Sequence, residues 1–127
     1  MKALVAAIAA MIIIVSSWGV FVSYSDKHIH ELMDLIEDDI LIDVYAGEWI
    51  SAESHFKRLS KEWHQQKKIY SFFFNNIDVN ETDYAIARAK DYIKAKDAPL
   101  AAGELNCINE QLKFMHFNEL ASFENIF

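Results

Sequence analysis

Turn-forming residues are scarce in this chain, which holds three glycines and one proline among 127 residues. Sandwiches and phosphate-cradling α/β folds both need many tight turns, so the scarcity argues against them and for an all-α fold. With one cysteine, Cys107, no intramolecular disulfide can form, and the redox compartment is not legible from it. Set between Leu105 and Ile108, Cys107 reads as a small core residue of a helix, with a nucleophilic role as the lesser alternative. Bases are outnumbered, 12 Lys and Arg against 19 Asp and Glu, for a formal charge of −7. Nucleic acid, whose phosphates demand a basic face, is therefore not an expected partner, and neither is peripheral adhesion to anionic lipid.

Charge is missing altogether from Ala3 to Tyr24. As a helix this stretch would be roughly 33 Å long, enough to cross a hydrocarbon core of about 30 Å. Residues 3–24 are thus read as a span in contact with lipid, which makes 1–25 a membrane anchor and 26–127 the body. A cleaved secretory signal is the competing reading: Lys2 supplies a basic start, and Ser23 and Ser25 are small residues before Asp26. Against it, the apolar run continues past Gly19 through Phe21, and Trp18 and Tyr24 sit near one end, as interfacial rings do. The positive-inside comparison sets Lys2 and the free amine against Lys27, and favours a cytoplasmic N-terminus with an extracytoplasmic body. The expected location is the cell membrane, single-pass, with a secreted, cleaved form as the alternative.

The body has room for one small core. Ile29, Leu32 or Met33, Ile36, Ile40 and Val44 recur at helical spacing up to Gly47, a C-terminal cap. No Gly or Pro lies between Val20 and Ala46, so the span is expected to continue into this segment, with a hinge at Ser23 to Asp26 as the other possibility. From Glu48 to about Phe74, steps of three and four alternate through Trp49, Ala52, Phe56, Leu59, Trp63, Gln66, Tyr70 and Phe73, the 3.5-residue repeat of packed helices. Phe72, Phe73 and Phe74 cannot all face inward, so at least one should cover a neighbour or a partner. After polar Asn75 to Thr82, with Asp78 or Asn80 as the cap, a third helix runs to about Lys96 on a face of Ala85, Ala89, Tyr92 and Ile93. Asn80-Glu81-Thr82 matches the glycosylation tripeptide, although capping is the preferred role. Pro99 opens a fourth helix with Ala101, Leu105, Ile108, Leu112 and Met115 on one face. The apolar tail of Phe117, Leu120, Phe123, Ile126 and Phe127 is expected to dock on the bundle. The fold class is therefore all-α: an N-terminal transmembrane helix followed by a small antiparallel bundle of three to four helices.

Segment 26–46 carries seven acids against Lys27, whereas 48–75 carries Lys57, Arg58, Lys61, Lys67 and Lys68 against three acids. Opposite flanks favour these two as antiparallel neighbours, although each exposed pair is worth only about 0.2–1 kcal/mol.

Several short motifs together resemble a known family. Glu48-Trp49 with Ala52-Glu53 and Trp63, Ile86-Ala87-Arg88 running into Lys90 to Asp97, and a closing Asn125-Ile126-Phe127 behind a short anchor resemble the bacterial family called domain of unknown function 4363. The resemblance covers nearly the whole chain. It implies small single-span proteins with a helical body, no established activity or catalytic set, and a multi-span membrane protein as partner.

For chemistry, His28, His30, Glu31 and Asp34 are the best constellation, with His30 and Asp34 four apart and His28 and Glu31 three apart. The two pairs lie on different faces, so a closed cation site would need residues from elsewhere. His55, His64 and His116 stand isolated, with no base and orienter beside a nucleophile. No enzyme is expected, and no catalytic, cofactor-binding or metal-ligating residue is assigned. The expected function is a non-enzymatic interaction or structural module of the cell envelope that binds another membrane protein, homo-oligomers included as possible assemblies. The alternative is an extracytoplasmic ligand- or metal-sensing domain.

Overall fold

The structure, a computed structural model, describes the backbone of residues 1–126 and the side chains of all of these except 73 and 118–126. Its first element, α1, is one uninterrupted helix from Lys2–Ala46. Residues 2–17 are exposed, while Ser25 is buried and marks where the bundle begins. The expected continuity of span and body is present, and no hinge forms at Ser23 to Asp26. Within α1, Leu35–Ile40 winds as a π-helix. The buried positions explain it: Leu32, Ile36, Ile40 and Val44 follow one another in steps of four, and in an α-helix each such step drifts about 40° around the axis. A wider turn takes up the drift and keeps Ile40 and Val44 facing the core.

Helix α1 ends as its glycine predicts. Gly47 has φ 72°, its N–H bonds Val44 O at 3.2 Å, and the Glu48 N–H bonds Asp43 O at 2.9 Å. These paired bonds close the helix by the Schellman motif, which favours a residue without a Cβ at the left-handed position. Three further helices follow: α2, Trp49–Phe73, α3, Asn76–Lys94, and α4, Ala98–Ile126. The α3–α4 junction repeats the motif with Lys96 at φ 55°, its N–H on Ile93 O and that of Asp97 on Tyr92 O. Asp97 Oδ1 then accepts the Leu100 N–H at 3.1 Å, which caps α4 with Pro99 in its first turn.

Cross-helix contacts fix an up-down-up-down bundle. His28 meets Tyr70 and Asp43 meets His55, both at 2.6 Å, so α1 and α2 run antiparallel. Trp63 Nε1 donates to Asp83 Oδ1 at 3.0 Å between α2 and α3. Arg88 donates to Glu104 and Gln111 to Glu81 between α3 and α4, and Asn109 donates to Glu37 at 2.6 Å to return from α4 to α1. The core takes in most of the seams read from the sequence, Ile29 to Val44 on α1, Ala52, Phe56, Leu59, Trp63 and Tyr70 on α2, Ala85, Ala89 and Ile93 on α3, and Ala101 to Met115 on α4. It adds Leu35, Val79 and Ile86, while Trp49 and Tyr92 are only partly buried against it.

Four expectations need correction. Cys107 is exposed because it lies two residues, about 200°, from buried Leu105 on the helix wheel. Helix α3 begins at Asn76, earlier than expected, and Asn75 is its cap, accepting the Ile77 N–H at 2.9 Å in place of Asp78 or Asn80. Asn80-Glu81-Thr82 therefore lies inside a helix, where buried Thr82 donates to Asp78 O. Among the described residues the ion pairs of the α2 bases are made away from α1: Arg58 pairs with Glu62, Lys57 with Glu53, and Lys67 with Asp83. Phe73, Leu120, Phe123, Ile126 and Phe127 of the apolar seam and tail lie outside the described side chains. Phe117, the first of the tail, is 67% exposed rather than docked.

Candidate functional site

Antiparallel packing brings the α2–α3 turn and the last third of α4 to the end where α1 leaves the bundle. The rings gathered there form a ladder. Trp63 and Tyr70, both on α2, are 5.6 Å apart between centroids, Tyr70 and His28 6.1 Å, and His28 stacks on Tyr24 at 6.1 Å. Trp63 and Tyr70 are fully buried while Tyr24 is 47% exposed, so the ladder leads from the core to the start of the apolar stretch. Around it lies an apolar collar: Phe72 is 86% exposed, Ile77 64% and Ile69 38%. Of the three successive phenylalanines, Phe72 turns outward and Phe74 packs on the core.

Burial lowers the His28 pKa from its ordinary value of 6.5, and the nearby Glu62 and Glu31 carboxylates only partly offset this. A base with a depressed folded pKa is neutral when the unfolded chain has begun to take protons, so folding stability falls as pH drops below 6.5. Melting temperature measured against pH should therefore decline on the acid side of 6.5 in the native chain. A His28→Gln variant should show a flatter slope there; an identical slope would place the acid sensitivity elsewhere.

His30 does not pair with Asp34. Its Nδ1 lies 2.9 Å from the backbone carbonyl of Asp26 and 3.5 Å from the Asp26 carboxylate, one turn earlier in the helix. His116, which looked isolated in the sequence, comes from α4 to meet them: its Nδ1 is 3.0 Å from Asp26 Oδ1. The two imidazoles stand edge to face with centroids 5.0 Å apart. Asp26, His30 and His116 each offer a ligand atom, all within 4.8 Å of one another. His28 faces Tyr70 instead, while Glu31 and Asp34 line a shallow acidic depression with Asp38, Asp39 and Arg58. The sequence spacing singled out His30 with Asp34, one turn too late on the same helix; Asp26 is the actual i, i+4 partner, and the contribution of α4 required the bundle register.

At mid-height and at the far end the chemistry is structural. Asp43 accepts from Ser51 at 3.0 Å and pairs with His55. Burial raises the Asp83 pKa, but hydrogen bonds from Lys67 and Trp63 and the charges of Lys67 and His64 outweigh it, so the net shift is downward. Between α2 and α3 a groove of 420 Å³ is lined by Lys57, Lys61, Lys90 and Lys94 with His64 and Phe56. This is a basic cleft on an acidic protein.

A family model described as Domain of unknown function (DUF4363) matches residues 20–126. No curated protein and no solved structure matches the chain. The matched region takes in the whole described bundle and the last turn of the apolar stretch.

Proposed function

The chain belongs to the Domain of unknown function (DUF4363) family, and from that premise we propose that it is a membrane-anchored, non-enzymatic interaction module of the cell envelope. Residues 3–24 hold it in lipid, the N-terminus is cytoplasmic, and the continuous α1 carries the bundle at the extracytoplasmic face. Its partner is another membrane protein. The observation that supports this reading is the collar: Phe72, Ile77 and Ile69 are exposed at the end of the bundle where the apolar stretch leaves it. Exposed apolar side chains gathered about one interhelical turn mark contact surfaces, and a partner in the same bilayer meets them without leaving the membrane. A body of net negative charge makes an anionic lipid surface the poorer occupant.

The test is crosslinking in native membranes followed by capture of the chain, comparing wild type with a Phe72→Asp, Ile77→Asp variant. Both side chains are largely exposed, so stability should stay within about 0.5 kcal/mol. Capture of a discrete membrane protein should fall at least tenfold. Unchanged capture at unchanged stability would remove the collar from the interaction. A sensing role is favoured by one observation, the facing imidazoles of His30 and His116.

A further inference from the structure

We propose that Asp26, His30 and His116 form a binding site for a borderline divalent cation, zinc foremost, that ties the C-terminal helix to the base of the membrane-anchored one. The site is independent of the collar. Two imidazoles and one carboxylate are the donor set of an open zinc site, whose fourth position is filled by water. They come from two helices, Asp26 and His30 one turn apart on α1 and His116 across the interface on α4. Bonds of 2.0–2.1 Å in tetrahedral geometry space ligand atoms about 3.4 Å apart. The present limit of 4.8 Å therefore closes by about 1.4 Å. His30 is 53% exposed, so packing does not oppose a movement of that size.

Two details point to a cation rather than a plain hydrogen-bonded cluster. First, His30 Nδ1–H donates to the Asp26 backbone carbonyl at 2.9 Å, which leaves Nε2 with its lone pair. This is the arrangement that orients metal-binding histidines. Second, His116 Nδ1 is enclosed and has no hydrogen-bond partner among the described residues, although Asp26 Oδ1 is only 3.0 Å away. The pair is close without being aligned, so a polar atom shut off from water is left unsatisfied. A cation bound between the carboxylate and the imidazoles would satisfy the cluster. Imidazole donors select zinc, nickel, cobalt or copper, while magnesium and calcium prefer all-oxygen shells.

The experiment uses the full chain purified in detergent, stripped with chelator, and titrated with zinc chloride by calorimetry alongside thermal melts. One zinc per chain is expected, with a rise in Tm of about 10 °C at a hundredfold excess over Kd and no response to magnesium. His30→Ala and His116→Gln should each weaken binding at least tenfold, whereas Asp34→Asn and His64→Ala should bind as wild type does. His30 is half-exposed, so its variant remains informative even if the His116 variant folds poorly. Equal zinc binding by wild type and His30→Ala, or no zinc-dependent shift in wild type, would overturn the proposal. Partner capture through Phe72 and Ile77 is read separately, so either result stands without the other.

Discussion

Replacing Trp63 by alanine is expected to destabilise the bundle by about 4 kcal/mol, within the 3–5 kcal/mol that truncating a buried large aromatic costs. Trp63 is 1% exposed and heads the fully buried side chains by volume. Three contacts fail together: packing within the hydrophobic core, the tilted ring contact with Tyr70 at 5.6 Å, and the bond from Nε1 to Asp83. Asp83 would keep Lys67, so no carboxylate is stranded, and the loss is mainly cavity and transfer energy. For a body of about a hundred residues the melting temperature should fall by roughly 20 °C. Trp63→Phe separates the contributions: most of the ring stays, the indole N–H goes, and the loss should be about 1–2 kcal/mol. Thermal melts followed by circular dichroism in detergent check both. A Trp63→Ala loss under about 1 kcal/mol would mean that the core is not centred on this residue.

Much of this fold was legible because its helices carry their own seams. Trp63 and Tyr70 stand seven residues apart on α2, and Leu105, Ile108, Leu112 and Met115 alternate on α4; in each case the buried set is the periodic set. Gly47 was equally clear, since a lone glycine after an apolar repeat is the usual closing residue. The π-turn at Leu35–Ile40 was less visible, yet its trace is there: the steps from Leu32 to Val44 are all fours where a straight α-helix would mix in threes. Cys107 was misplaced because its immediate neighbours are apolar, whereas helical position depends on residues three and four away.

Sites were less legible than seams. Asp26, His30 and His116 are brought together by the register of α4 against α1, and nothing local to His116 announces it. His28 was read with Glu31, but the buried phenol of Tyr70 on the neighbouring helix is its partner. Opposite net charges on α1 and α2 correctly named neighbours without naming contacts. Lys57 and Arg58 pair within α2 and Lys67 with Asp83 on α3, whereas among the described residues the acid–base contact between α1 and α2 uses a histidine, His55 on Asp43. The basic cleft of Lys57, Lys61, Lys90 and Lys94 escaped notice because the bases of α2 were read against α1, whereas the cleft pairs them with lysines of α3.

The reading as a membrane-held strut rests on α1. Its apolar part has a mean hydropathy of 2.4 and none of it is buried, and nine large hydrophobic side chains from Leu4 to Val20 stand exposed. Paired arginines at Ile12 and Ile13 would each cost about 3 kcal/mol at the centre of a span. The double variant should be lost from the membrane fraction. The most direct measurement is the intact mass of the wild-type chain after washing membranes at alkaline pH, which strips peripheral proteins and leaves spanning ones. The full 127-residue chain, uncleaved and still in the pellet, is the expected result. A shorter chain beginning near Ser25 and free in the supernatant would contradict it.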